Sequence, residues 1–243
     1  MREETHMVDG IRTFSRVVGE GDEVLLIHGA GVSSDYWLPA QAELAAMGPF
    51  RVWSLDLPGF GRSGDPPWPA DVSRLTGHLI RWMGLAMPGA CHVVGQSCGC
   101  ELAVGAAAGV PERVRKVVLA APNALPALRS VSGEILRAAV DAFREPLSLY
   151  RVILPAYLRC GPRRLLHLLL DQRHDLTEKL LPEVRQPTLV LRGSRDAIVS
   201  AGRVEGVARV MRHAVTATVP GAHGAHFSHP EEFTATVAAF LRR

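Results

Sequence analysis

A chain of 243 residues, 47% hydrophobic and 21% charged, holds enough apolar material for one sizeable core, so it reads as a single domain with room for a small insertion. A formal net charge of +3 with no run of like charges gives no reason to expect a nucleic-acid partner, and no apolar segment approaches the roughly 20 residues of a membrane span. The opening Met1-Arg2-Glu3-Glu4-Thr5-His6 lacks the apolar stretch of a secretory signal, and Cys91, Cys98, Cys100 and Cys160 form neither a C-x-x-C pair nor a metal spacing, so a reduced, cytoplasmic setting is expected.

Mixed polar and apolar residues from Val8 to Val18, around Asp9-Gly10 and closed by Gly19-Glu20-Gly21, predict an opening β-hairpin. Val24-Leu25-Leu26-Ile27 is a short continuous apolar run, the pattern of a strand buried on both faces of a parallel sheet. It ends at His28-Gly29-Ala30-Gly31, and Ser33 and Ser34 can cap a helix carrying Trp37, Leu38, Leu44 and Ala45. The next strand, Arg51 to Leu55, runs into Asp56-Leu57-Pro58-Gly59-Phe60-Gly61-Arg62-Ser63, too rich in Gly and Pro for regular structure. A helix over Val72 to Met83 precedes the apolar His92-Val93-Val94; a helical stretch from Glu101 to Ala108 precedes the strand Lys116 to Ala120. Strands alternating with helices across short loops imply βαβ units and a mostly parallel sheet.

The alternation stops between Asn123 and Pro182, where the pattern is helical, rich in arginine (Arg129, Arg137, Arg144, Arg151, Arg159, Arg163, Arg164, Arg173) and punctuated by Pro146, Pro155 and Pro162. The expected division is therefore a core of residues 1–122 and 183–243 with a helical insertion at 123–182. Its arginines suit a solvated outer face; the alternative turns one or two inward, toward an anionic substrate group. Leu165, Leu166, Leu168, Leu169 and Leu170 suit packing on the core, with the lining of an apolar pocket as the second reading. Alternation then resumes with a strand at Thr188 to Leu191, a helix at Ala201 to Met211, a strand at Ala214 to Val219 and a closing helix at Glu231 to Leu241.

The chemistry centres on Gly95-Gln96-Ser97-Cys98-Gly99. A G-x-S-x-G pentapeptide between an apolar strand and a small-residue helix has the context of a nucleophile elbow, a sharp turn that lifts the serine Oγ clear of the backbone. The helix that follows offers free N–H groups and a positive dipole end to an oxyanion. A serine hydroxyl needs a base to take its proton, and the base needs an acid to orient it; in open α/β sheets such groups collect at the carboxyl ends of strands.

For the acid, Asp196 in Gly193-Ser194-Arg195-Asp196 follows the strand ending at Leu191, whereas Asn123, after the preceding strand, has no charge, and Asp171 and Asp175 lie in the helical insertion. For the base, His6, His78, His92, His167, His174 and His213 are remote from strand ends, and His28 reads as structural. The last strand is followed by Gly221-Ala222-His223-Gly224-Ala225-His226-Phe227-Ser228-His229-Pro230-Glu231, in which Ser228 and Glu231 form a capping box that starts the closing helix at His229. His223 is preferred as the base and His226 is the alternative. The spacing of His223, His226 and His229 recurs every three residues, but the loop has no acidic or thiol partner for a metal, so neither a metal nor a cofactor is expected. The oxyanion donors should be the backbone N–H of Cys98, directly after the nucleophile, and that of Ala30, in the loop after the first buried strand.

In these pieces and their order Ser, Asp, His, the chain resembles the α/β-hydrolase superfamily over essentially its whole length. The matching segments are His28 to Gly31, Asp56 to Ser63, Gly95 to Gly99, Gly193 to Asp196 and His223 to Glu232. The resemblance implies an eight-stranded, mostly parallel sheet flanked by helices with a helical lid at 123–182, Ser97, Asp196 and His223 as the triad, and Ala30 and Cys98 as oxyanion donors. Members often read Gly-x-Gly-His before the closing helix, whereas this chain offers Gly-Ala-His-Gly-Ala-His; the distance to Pro230 favours His223 and leaves His226 open. The implied activity is a serine esterase-like hydrolysis of an acyl bond in a small, hydrophobic substrate. The same triad also serves carbon–carbon bond hydrolysis, thioester hydrolysis, perhydrolysis and lyase chemistry, and a non-catalytic ligand binder is a third reading. Oligomeric state is not legible.

Overall fold

The computed structural model describes residues 1–122, 131–172 and 177–243. The predicted hairpin is formed by β1 (Arg2–Val8) and β2 (Ile11–Val18). Its turn residues Asp9 and Gly10 have φ of 49° and 78°, the paired positive values that match the twist of the flanking strands. The first strand reaches back to Arg2, farther than the apolar pattern indicated, because it lies at the sheet edge and an edge strand accommodates charge.

The other strands are β3 (Asp22–Ile27), β4 (Phe50–Leu55), β5 (Cys91–Gln96), β6 (Val114–Ala120), β7 (Thr188–Gly193) and β8 (Ala214–Val219). They make one eight-stranded sheet in the order β1-β2-β4-β3-β5-β6-β7-β8. The pairings of β1 with β2 and of β2 with β4 are antiparallel, and all the rest are parallel. From β3 the chain first steps to β4 on one side and then crosses to β5 on the other, so a crevice opens at the carboxyl ends of β3 and β5.

The helices in chain order are α1 (Leu38–Ala46), α2 (Val72–Ala86), α3 (Cys98–Gly109), α4 (Val131–Ala142), α5 (Leu147–Cys160), α6 (Pro162–Asp171), α7 (Thr177–Leu180), α8 (Ala201–Val210), α9 (Ala225–Ser228) and α10 (Pro230–Leu241). Continuous apolar runs feed both faces of the sheet. Leu25, Ile27, Val93, Val117 and Leu119 pack with Leu75, Trp82, Leu102 and Val207 of α2, α3 and α8. Their sequence neighbours Val24, Leu26, Val94 and Val118 pack with Leu44, Phe233 and Val237 of α1 and α10 on the other face. Helices α4 to α7 lie between β6 and β7, as a helical lid insertion. The start of the expected insertion at Asn123 lies outside the described residues, as do Arg129, Arg173, His174 and Asp175.

Two helix starts differ from the pattern. Ser33 caps a 3₁₀ turn (Ser34–Trp37) and α1 begins only at Leu38. No capping box forms at Ser228: its Oγ donates to Gly224 O at 3.2 Å as the end of α9, and α10 starts with Pro230, whose fixed φ opens a helix unaided. Among the described residues no helix is long and apolar enough to cross a membrane.

Candidate active site

Ser97 sits between β5 and α3 with φ 52° and ψ −121°. A non-glycine residue stays in such a strained conformation only when its surroundings over-determine it. Here the Ser97 N–H donates to Ala120 O of β6 at 2.9 Å, and the Cys100 N–H donates to Ser97 O at 2.9 Å. The flanking glycines answer to crowding. A Cβ on Gly95 would lie 2.3 Å from Gly99 O, and one on Gly99 would lie 2.3 Å from Ile27 O, so β3, β5 and α3 can meet this closely only without side chains there.

Ser97 and His223 line one cavity of about 630 Å³, together with the loop after β3 and residues of α4, α5 and α6. Behind His223 lies Asp196. Its Oδ1 accepts the N–H groups of Ile198 and Val199, both at 2.8 Å, which turns Oδ2 toward His223 Nδ1 at 3.0 Å. With Nδ1 held by a carboxylate, the imidazole has Nε2 left to accept a proton. Burial lowers the His223 pKa, but the charge and hydrogen bond of Asp196, joined by the charges of Asp141 and Glu145, outweigh it and leave the ring above its ordinary value. Asp196 is the converse: burial raises it, while His223 and the two loop N–H groups bring it below the usual carboxylate range.

His226 is three residues away and occupies a different environment. Its ring packs 4.2 Å from those of Tyr36 and Trp37 and 5.8 Å from Phe233, and Nε2 has no hydrogen-bond partner among the described residues. Burial pushes its pKa down to about 3, helped by the nearby His223. It is a neutral packing residue, and the Asp196 carboxylate faces His223 instead. His229 Nδ1 lies 3.1 Å from Ser228 Oγ. The three rings of the loop thus point to three different partners, and among the described residues no group of His, Cys, Asp and Glu could hold a metal.

The loop after β3 is braced from beneath. His28 donates from Nδ1 to Gly29 O at 2.8 Å and accepts at Nε2 from the Leu57 N–H at 3.1 Å, which fixes a neutral ring; burial lowers its pKa accordingly. Asp56 accepts the N–H groups of Ser34 and Arg62, each at 2.7 Å, so the Gly- and Pro-rich loop is a clamp on the segment that carries Ala30. The Ala30 N–H meets no acceptor among the described residues, and Cys98 opens α3 directly after Ser97. Gly31, at φ 79°, has the Tyr157 ring of α5 where a Cβ would be, at 2.5 Å.

Two carboxylates in this site carried no sequence signal. Asp141, in the last turn of α4, accepts the Ala197 N–H at Oδ1 (3.0 Å) and the His223 N–H at Oδ2 (3.3 Å), bridging the loops that carry Asp196 and His223. Glu145, just past α4, accepts the Gly224 N–H at 2.5 Å. Burial raises both pKa values. Neither residue belongs to a motif, and only the folding of α4 over the sheet brings them here. Gln96 adds a further tie, its Nε2 donating to His223 O at 3.3 Å.

The inserted leucines divide. Leu168 is buried in the core, but Leu165, Leu166, Leu169 and Leu170 line the cavity, so most of this apolar stripe faces the site. Among the described residues no arginine of the insertion lines it; Arg129 and Arg173 lie outside those residues. Arg164 binds Gly59 O (2.5 Å) and Asp65 (2.9 Å), and Arg144 binds Arg195 O (2.7 Å). Asp171 accepts the Val72 N–H at 2.8 Å, tying the end of α6 to the start of α2.

A pimeloyl-[acyl-carrier protein] methyl ester esterase from Photobacterium profundum is 28% identical to this chain, over 92% of it and 96% of the relative. A dihydrolipoyllysine-residue acetyltransferase component of the acetoin cleaving system from Pseudomonas putida is 28% identical over 92% of this chain. The chain spans 64% of that relative's length, and 30% of its counterpart from Cupriavidus necator. Among solved structures, a thermophilic esterase from Thermogutta terrifontis superposes with a TM-score of 0.81 at 25% identity, over 100% of this chain and 98% of the other. The Alpha/beta hydrolase family model matches residues 24–236, and the chain belongs to that family.

Proposed function

We propose that this protein is a serine hydrolase that cleaves a carboxylic ester or related acyl bond of a small, hydrophobic substrate. The observation that carries this reading is the strained Ser97 sharing one cavity with a His223 whose Nδ1 is held by Asp196 at 3.0 Å. Ser97 Oγ attacks the carbonyl carbon while His223 Nε2 takes its proton; the oxyanion is received by the N–H groups of Ala30 and Cys98. The proton then passes to the leaving alkoxide, giving the alcohol and an acyl-Ser97 ester. Water, deprotonated by His223, attacks that ester and releases the acid. The leucine-lined wall of α6 supports an apolar acyl group, and the esterase named among the relatives supports ester cleavage over the other reactions of this triad. The free thiols of Cys91, Cys98, Cys100 and Cys160 suit a reducing, cytoplasmic compartment.

A panel of p-nitrophenyl esters of graded chain length, with matched thioesters, tests the reaction, and a fluorophosphonate probe tests the nucleophile. Ser97→Ala should abolish labelling and lower kcat by about 10⁴–10⁶-fold without altering the fold. Unchanged turnover in that variant would reject Ser97 as nucleophile.

A further inference from the structure

The cavity wall near His223 is acidic, and no Lys or Arg lines the cavity among the described residues. Each oxygen of Asp141 already accepts a backbone N–H. Glu145 differs. Its Oε1 accepts the Gly224 N–H, while Oε2 is buried and meets no partner among the described residues. A Cβ on Gly224 would lie 2.6 Å from the Tyr36 hydroxyl and 3.0 Å from Glu145 Oε1, so hydroxyl and carboxylate converge over that glycine, and both residues line the cavity. A buried acceptor without a donor is costly, and in a cavity lined mainly by leucine, isoleucine, alanine and tyrosine its charge is poorly screened.

We infer that the cavity takes acyl compounds that are uncharged or positively charged and turns away those bearing a carboxylate, with Glu145 as the residue that sets this preference. The inference rests on the ester-hydrolase reading of the same cavity and adds to it the charge class of the substrate. An ammonium on the bound molecule is attracted by the neighbouring carboxylates of Asp141 and Glu145, both of which line the cavity. A carboxylate brings a third negative charge beside Asp141 and Glu145 and, among the described residues, finds no cation lining the cavity to pair with. Desolvation penalises either charged ligand in an apolar cavity, so the sign of the charge, rather than its presence, is the diagnostic variable.

The experiment measures binding, so that it stands apart from turnover. Calorimetric titration at pH 8.5, where carboxylates are ionised, compares three ligands of one length on the Ser97→Ala protein: methyl hexanoate, methyl 6-aminohexanoate and monomethyl adipate. The ammonium ester is expected to bind at least tenfold more tightly than the carboxylate ester. Adding Glu145→Gln, which keeps an acceptor for the Gly224 N–H and removes the charge, should narrow that ratio at least threefold. Equal binding of the two charged esters, or tighter binding of monomethyl adipate, overturns the inference from the Ser97→Ala protein alone, whether or not the double variant folds. A ratio that survives Glu145→Gln in a folded protein overturns the role of Glu145. Wild-type protein that neither hydrolyses esters nor takes the fluorophosphonate would instead count against the hydrolase reading, and the binding ratio would still decide the charge preference.

Discussion

His223 and His226 lie three positions apart, and their surroundings drive them in opposite directions. Carboxylates hold His223 above the ordinary imidazole value of 6.5, whereas an aromatic enclosure drives His226 down to about 3. A base must be neutral to accept a proton, so a raised pKa means activity is lost on the acid side at a higher pH than an unperturbed histidine would give. The acid limb of kcat/KM against pH should therefore have its midpoint above 6.5; a midpoint below that value would contradict the Asp196 pairing. His223→Gln should cost at least about 10³-fold in kcat, while His226→Phe, which keeps an aromatic ring between Tyr36 and Trp37, should retain activity to within about tenfold. The sequence narrowed the base to these two rings through their place after β8. The distance to Pro230 favoured His223 but left His226 open, because the physical difference lies in partners (Asp196, Tyr36, Trp37) brought in from other parts of the chain.

At the scale of elements, those with two buried faces were legible. The continuous apolar runs of β3, β5 and β6 mark central parallel strands. β1 was read short because an edge strand carries Glu3 and Glu4 as readily as a loop does. The start of α10 was misread because Ser-x-x-Glu resembles a capping box, while Pro230 opens the helix without one. Contacts made by α4 were invisible, since a helical pattern does not say what the helix will cover. The elbow illustrates the opposite case, in which local sequence and tertiary crowding agree. Gly95→Ala places a Cβ 2.3 Å from the Gly99 carbonyl oxygen, which no side-chain rotation can relieve. It should destabilise by about 1–3 kcal/mol or more, seen as a lower denaturation midpoint; a midpoint equal to that of the wild type would show that the turn can relax. Asp141→Asn exchanges one acceptor for a donor, leaving either the Ala197 or the His223 N–H without its partner. The expected cost is about 1–3 kcal/mol, together with a fall in kcat, measured by denaturation and ester turnover.

For the whole molecule, buried histidines set the response to acid. His78 and His92 are lowered to about 4 and His226 to about 3, in each case chiefly by burial. Unfolding returns them toward 6.5, so between those values the unfolded chain binds more protons, and stability rises with pH. Their contribution is fully present above about 6.5 and is lost progressively as pH falls toward 4 and then 3. The raised pKa of His223 acts in the reverse sense, since its pairing stabilises most below 6.5 and fades as pH rises through its folded value. With His28, which burial also lowers, four rings stand against one, so the denaturation midpoint should fall on going from pH 7 to pH 4.5; a flat profile would mean that these rings are hydrated in solution.

One carboxylate at the end of α4 grips the backbone beside Asp196 and at His223 at once, while farther along the same insertion Arg164 holds the loop after β4 and Asp171 holds the start of α2. The insertion is thus a strap buckled at several points, and swinging it away at α4 would loosen the loops of Asp196 and His223 along with it. Entry by lifting α4 would therefore come at the expense of the Asp196 and His223 geometry.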